Sequence, residues 1–347
     1  MSTTTERPAP AKVAILGAGS WGTTFAKIVG EAALGTERSV MVWGRREAVV
    51  EQINTLHRND TYLADIDLPA NISASTDVAE VLAGATLVVL AVPAQSLRPQ
   101  LHAWAAHLDP DAVVVSLMKG LELGTDARMS QVIAEELGLS EDRIAVISGP
   151  NLAMEIARRE PTASVVACAD ETVAAWVASV CTPPYFRPYT NTDVVGVEIG
   201  GIVKNVIALA VGICEGKRMG DNTKASVITR GLAETTRLAL ALGGSTETMA
   251  GLAGLGDLVA TCSSPLSRNH TAGRLLGEGF TLDEVNAKMT QTAEGIKSGR
   301  AVADLARKLG VEMPITDAVV AVLDGKLRVD DLGRVLLSRD LKAEGEY

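Results

Sequence analysis

Apolar residues in the first half of the chain fall into short unbroken runs of strand length, at 12–16, 39–43, 86–92, 112–117, 144–147 and 164–168. Between them lie polar–apolar stretches of helical period, at 20–34, 47–56, 95–107, 126–137, 152–158 and 171–181. Strands that are apolar throughout, alternating with helices, predict a parallel sheet covered on both faces. Gly17, Pro93 and Gly149-Pro150 stand at strand ends, as loops at a ligand-binding carboxyl edge would. Beyond about residue 190 no apolar strand recurs. Long helical periods follow at 193–214 and 222–242, with Asp193 and Asn222 as suitable N-caps. The expectation is an α/β Rossmann-type doubly wound sheet over 12–190, then an all-helical domain over 191–347, with 182–188 (TPPYFRP) as a stiff approach to the boundary. Residues 1–11, polar and Pro-containing, read as a disordered tail without a secretory h-region.

Charge narrows the function. Against 32 Lys and Arg stand 42 Asp and Glu, a net charge of −10, and such a mean field repels nucleic-acid phosphate and anionic membranes. The 3% aromatic content leaves little for stacking single-stranded bases. A phosphorylated ligand would therefore need a local knot of cations. Cys168, Cys181, Cys214 and Cys262 are far apart and form no C-x-x-C pair, which fits reduced, buried thiols rather than a disulfide frame or metal site. The apolar segment 194–213 carries Glu198 and Lys204 in its interior, so no membrane insertion is expected and the cytoplasm is the expected compartment.

Gly17-Ala18-Gly19-Ser20-Trp21-Gly22 is a G-x-G-x-x-G between the first strand and the first helix, the context in which it binds a dinucleotide. Gly17 permits the tight turn, Gly19 a close approach to pyrophosphate, and Gly22 close packing of helix on strand. At the end of the second strand, where an NAD site places an acid, this chain has Arg45 and Arg46. Guanidinium groups pair with a 2′-phosphate, so NADP(H) is the expected cofactor and NAD(H) the alternative. Glu47, which starts the next helix, is the acid an NAD reading would use.

In the helical half, Gly200 and Gly201 share a helix face with Lys204. Two mid-helix glycines cost about 1 kcal/mol each, and the return expected is a bare backbone surface on which a flat substrate lies beside the lysine. Desolvation there would draw a lysine toward the range of a general base; the bland alternative is a snorkelling side chain. Asp257 and Thr261 share a face four residues apart: either they orient Lys204 and hold substrate oxygen, or Asp257 merely caps a helix. Ser267-Arg268-Asn269 before a helical stretch reads as a phosphate site or as an ordinary turn. Arg230, Glu234 and Arg237 have the spacing of a solvated helix face, and the four histidines form no metal set.

Taken in order, Gly17–Gly22, Trp43-Gly44-Arg45, Lys119-Gly120, Ser148-Gly149-Pro150, Gly200-Gly-x-x-Lys204-Asn205, Ile228-Thr-Arg230-Gly231, Ala253-Gly-Leu-Gly-Asp257-Leu, Ser267-Arg-Asn269 and Glu312-Met-Pro314-Ile resemble bacterial NAD(P)-dependent glycerol-3-phosphate dehydrogenase. The resemblance runs from about Lys12 to Gly325. It implies reversible reduction of dihydroxyacetone phosphate to sn-glycerol 3-phosphate, supplying glycerophospholipid synthesis, by a homodimer. Carried over, Lys204 is the general acid/base. Lys119, Gly149, Asp257, Ser267, Arg268 and Asn269 contact substrate, and Ser20, Trp21, Arg45, Lys119, Ala153, Arg268 and Glu294 contact cofactor; Arg46 joins them on charge alone. Asn151 stands where the family usually has Thr, which puts that substrate contact in question. Two rivals remain open at this level. A reductase of another small hydroxy or keto acid would want a carboxylate clamp, and a non-catalytic NADP(H)-binding sensor would not need Lys204.

Overall fold

The structure is a computed structural model, and it describes residues 7–289 and 293–333. Its strands are β1 (Lys12–Leu16), β2 (Ser39–Trp43), β3 (Arg58–Asn59), β4 (Leu63–Asp67), β5 (Ile72–Ser75), β6 (Leu87–Leu90), β7 (Val113–Ser116), β8 (Ile144–Ser148), β9 (Thr162–Cys168) and β10 (Phe186–Asn191). Eight of them form one sheet in the order β10-β9-β8-β7-β6-β1-β2-β5. The pairs β5–β2, β2–β1, β1–β6, β6–β7, β7–β8 and β9–β10 run parallel. The central strands β6 and β7, LVVL and VVVS, are buried at every position, as strands covered on both faces must be. The chain steps outward from β1 to β2 and β5, then returns to β1's other side for β6, so the strand order reverses beside the glycine-rich turn that follows β1.

Four strands were not legible as apolar runs. β3 and β4 make a separate antiparallel hairpin, and β5 (ISAS) is half polar. β10 occupies the stretch expected as a stiff approach. Its pattern FRPYTN suits an edge strand, where Pro188 can lack an N–H because one side of the strand has no partner among the described residues. The expected disordered tail is corrected over its described part: Trp176 Nε1 donates to Pro8 O at 3.0 Å, and the Arg7 guanidinium lies 5.4 Å over the Trp176 ring. Residues 1–6 of that tail lie outside the described residues.

The sheet is covered by α1 (Ser20–Ala32), α2 (Glu47–Leu56), α3 (Val78–Leu82), α4 (Leu97–Trp104), α5 (Met129–Leu137), α6 (Ala153–Ala157) and α7 (Glu171–Val180). Two compact units result: Met1–Met118 with Met129–Ile147 and Ala153–Val194, and Lys119–Arg128 with Ser148–Leu152 and Val195–Tyr347. The last cut falls at Val194/Val195 rather than near Asn191, and two loops of the first half, 119–128 and 148–152, pack with the helical unit.

That unit contains α8 (Val194–Gly216), α9 (Asp221–Ala241), α10 (Thr246–Ala250), α11 (Asp257–Ser263), α12 (Arg268–Glu278), α13 (Leu282–Lys288), α14 (Glu294–Lys308) and α15 (Pro314–Leu323). α8 is long and apolar enough to span a bilayer, but it is buried from Gly196 to Cys214 as the unit's core helix. α8 and α12 cross backbone to backbone through Gly212 and Gly216 on one side and Gly273 and Gly277 on the other. A Cβ at Gly212 would stand 2.1 Å from His270 O, and one at Gly273 2.1 Å from Leu209 O. α9 starts at Asp221 with Gly220 as its N-cap, so Asn222 lies inside the helix. Glu234 is not on a solvated face. It is 1% exposed, and its carboxylate accepts the N–H groups of Ile315 (2.6 Å) and Thr316 (3.2 Å) at the start of α15. That helix begins with Pro314 and has no side-chain cap of its own, so a carboxylate from α9 serves instead.

Candidate active site

In the helical unit, Lys204 projects from the middle of α8 and is 8% exposed. Its Nζ donates to Asp257 Oδ1 (2.6 Å) and Thr261 Oγ1 (2.7 Å), and Thr261 donates in turn to Asp257 Oδ1 at 3.1 Å. Lys119, the first residue of one incorporated loop, donates to Asp257 Oδ2 (2.6 Å) and to Gly149 O (3.1 Å) in the other. Two ammonium groups thus share one carboxylate that is itself 1% exposed, so the cluster carries a net positive charge when both are protonated. Burial draws the Lys119 ammonium down to about 8. Asp257 opposes that fall, and the positive charge of Lys204 adds to it.

Asp257 arrives at this point through an unusual turn. Residues Leu252–Gly256 form a π-helical segment, with Gly256 N–H bonded to Gly251 O at 3.1 Å, that runs directly into α11. The Asp257 carboxylate is therefore taken by two lysines and does not cap a helix. The glycine pair on α8 also has a different use from the one expected. A Cβ at Gly200 would stand 2.5 Å from Ala253 O, and one at Gly201 2.7 Å from Ser148 Oγ. Neither glycine leaves a bare surface for a ligand: Gly200 admits the π segment, and Gly201 admits the loop of Ser148.

The loop that begins with Lys119 is fastened by the Leu121–Arg128 bridge and by Arg128 Nη1 to Glu198 Oε2 at 2.6 Å. Neither Arg128 nor Glu198 carries a motif signal: Glu198 stood out only as a charge inside an apolar segment, and Arg128 not at all. On the other incorporated loop, both polar atoms of the Asn151 amide are buried without a partner among the described residues, which suits a group reserved for a ligand.

At the start of α12, Ser267 Oγ accepts the His270 N–H (3.2 Å) as an N-cap, and Arg268 is exposed. Asn269 Nδ2 donates to Asn205 Oδ1 (2.9 Å) and its Oδ1 accepts the Gly295 N–H (2.9 Å), so this amide ties α12 to α8 and α14. Burial raises the Glu294 carboxyl, against the pull of Arg268, Lys204, Lys119 and Lys297. Lys119, Lys204, Arg268 and Lys297 therefore all bear on one buried carboxyl within this unit.

The sheet unit holds the glycine-rich turn. Gly17 has φ +132°, and a Cβ there would stand 2.4 Å from Ala91 O. A Cβ at Gly22 would stand 2.0 Å from Gly17 O, while Gly19 faces open space with nothing within 4 Å. Gly19 is also the N-cap of α1 and provides no side-chain cap, which leaves first-turn N–H groups for an anion. Steric need at two glycines and open approach at the third fit a dinucleotide pyrophosphate. Ser20 Oγ donates to Tyr62 O at 3.0 Å, and Trp21 packs edge-on against Phe25, its Nε1 without a partner among the described residues. Arg45 and Arg46 are exposed, with the Arg46 guanidinium 5.0 Å over the Tyr62 ring. Ala153, at the head of α6, accepts the Thr24 hydroxyl at 3.2 Å.

Comparison with known proteins identifies one family over most of the chain. Residues 12–174 match the family model for the NAD-dependent glycerol-3-phosphate dehydrogenase N-terminus, and 193–334 match that for its C-terminus. A glycerol-3-phosphate dehydrogenase [NAD(P)+] of Thermobifida fusca is 60% identical over 96% of this chain and 98% of its own. One from Corynebacterium urealyticum is 53% identical over 96% and 99%. The crystal structure of glycerol-3-phosphate dehydrogenase from Coxiella burnetii superposes with a TM-score of 0.89 at 36% identity, covering 94% of this chain and 99% of that one.

Proposed function

The chain belongs to the NAD-dependent glycerol-3-phosphate dehydrogenase family, and from that premise we propose that it reduces dihydroxyacetone phosphate reversibly to sn-glycerol 3-phosphate with NAD(P)H. The observation that carries this reading is the Asp257 carboxylate shared by Lys119 and Lys204. It holds two cations beside a threonine hydroxyl, as a reaction needs when it builds negative charge on a carbonyl oxygen and binds a phosphate.

Bound NAD(P)H supplies the hydride. Lys204, held by Asp257 and Thr261, gives the proton to the developing alkoxide and stabilises its charge; in the reverse direction it takes the hydroxyl proton. Lys119 and Asn151 hold substrate oxygen, with Gly149 fixed against Lys119. Arg268, with Ser267 and Asn269 at the head of α12, takes the phosphate, so remote binding energy is converted into orientation of the carbonyl. Gly17, Gly19 and Gly22 shape the turn for the cofactor pyrophosphate, assisted by Ser20, Trp21 and Ala153; the family resemblance adds Glu294 and Lys119 as cofactor contacts. Arg45 and Arg46, with no acid at the end of β2, favour the 2′-phosphate of NADP(H). The product enters glycerophospholipid synthesis, and the enzyme works as a cytoplasmic homodimer.

The test follows absorbance at 340 nm with dihydroxyacetone phosphate as oxidant, first with NADPH and then with NADH. The expected result is oxidation of both cofactors with a higher kcat/KM for NADPH. No oxidation of either removes the activity, and a tenfold preference for NADH removes the roles given to Arg45 and Arg46. Light scattering of the eluting enzyme checks the dimer.

A further inference from the structure

Asn59 is an interior polar residue outside the glycine-rich turn. It ends β3, the two-residue strand of the small antiparallel hairpin, and is completely buried. Its Nδ2 donates to Ala18 O at 3.0 Å and to Thr23 Oγ1 at 2.8 Å. Ala18 lies between the first two glycines of the turn, and Thr23 immediately follows the third. One amide nitrogen therefore staples both ends of the G-x-G-x-x-G turn. Three residues further on, Tyr62 O accepts the Ser20 hydroxyl at 3.0 Å and fastens the middle of the turn to the same hairpin.

The need for such a staple follows from the turn's own chemistry. Glycines gain close approach at the cost of conformational freedom, and a loop that must present N–H groups to an anion works only if it is already ordered. Gly17 N–H is bonded to Trp43 O at 3.1 Å, but the carbonyl of Ala18 lies beyond that anchor. Ala18 O can only accept, so a buried donor is required there.

We propose that Asn59 is a positioning residue for the dinucleotide: it pre-orders the glycine-rich turn, and the β3–β4 hairpin serves as its brace. The inference rests on the assignment of that turn to the cofactor. Asn59→Ala removes the donor, and Asn59→Asp keeps the shape while facing a carboxylate to the Ala18 carbonyl. For both, the NADPH dissociation constant, read from cofactor fluorescence well below the melting temperature, should rise about tenfold or more, the size expected for a buried hydrogen bond lost. In the unliganded enzyme, hydrogen exchange over 17–23 should quicken while exchange in α8 stays unchanged. Should Asn59→Ala not fold, the Asp variant carries the same two readouts. A folded variant with wild-type exchange over the turn and an NADPH constant within about twofold of wild type overturns the proposal. Gly19→Val separates the two layers, since it should block the pyrophosphate outright. Undiminished NADPH binding by Gly19→Val would overturn the cofactor assignment itself, whereas lost binding there with normal binding by the Asn59 variants would overturn only the positioning role.

Discussion

Lys119 and Lys204 are held 2.6 Å from opposite oxygens of the same carboxylate, that of Asp257, although they come from a loop after β7 and from the centre of α8. The buried carboxylate screens the repulsion between two ammonium groups that would otherwise disfavour each other. Taking one member away leaves the others uncompensated, which is why removing one partner of a buried ion pair costs about 3–5 kcal/mol.

Lys204→Ala is expected to lose about 100-fold or more in kcat, the low end of a general acid–base contribution. Arg268→Ala should instead raise the KM for dihydroxyacetone phosphate with a smaller change in kcat. Steady-state kinetics on the two variants check the division. Near-normal turnover without Lys204 would remove its role as proton donor.

The state of Lys119 should appear in the pH profile. Burial and the neighbouring Lys204 lower its ammonium to about 8, so it is charged at pH 7 and largely neutral at pH 9. The substrate phosphate, with a second pKa of about 6, is already a dianion across that interval. The KM for dihydroxyacetone phosphate is expected to rise between pH 7 and 9, and Lys119→Arg should flatten the rise by keeping its charge. A wild-type KM that stays level over this range would contradict the substrate role of Lys119.

Glu234 predicts a dependence of stability on pH. Burial raises its carboxyl to about 7, against the hydrogen bonds from Ile315 and Thr316. The folded protein therefore holds this proton more tightly than the unfolded chain, and the contribution is complete below about 4.5 and lost as pH rises through about 7. Denaturant unfolding of Glu234→Gln should show a weaker decline of stability over that interval than wild type. Glu234→Ala strips the cap from α15 and is expected to cost about 2 kcal/mol at pH 5.

Gly200 is predicted to matter for rate through packing. A Cβ there meets the Ala253 carbonyl at 2.5 Å, and backbone cannot yield as a side chain would. Gly200→Ala should shift the π segment and Asp257 with it, lowering kcat/KM about 10- to 100-fold, the scale of a 1 Å displacement in a catalytic group. Gly299→Ala, whose Cβ would lie 3.6 Å from Val206, is the control and should remain within about twofold of wild type.

The sequence by itself determined what periodicity and local chemistry can carry. Fully apolar runs specified the central strands, because only strands buried on both faces tolerate them, and the glycine-rich turn declared itself by its glycine spacing between a strand and a helix. Lys204, Asp257 and Thr261 were legible as candidates from their spacing and neighbours. Tertiary structure decided which groups meet. The half-polar β5, the Pro-containing edge strand β10 and the brace at Asn59 have no periodic signal, since partners distant in the chain stabilise them. Only folding showed that Gly200 and Gly201 admit backbone and side chain where a ligand surface was expected, and that Glu234 caps a helix where a solvated face was expected. Burial and close approach are properties of pairs of segments, and a one-dimensional pattern records only one member of each pair.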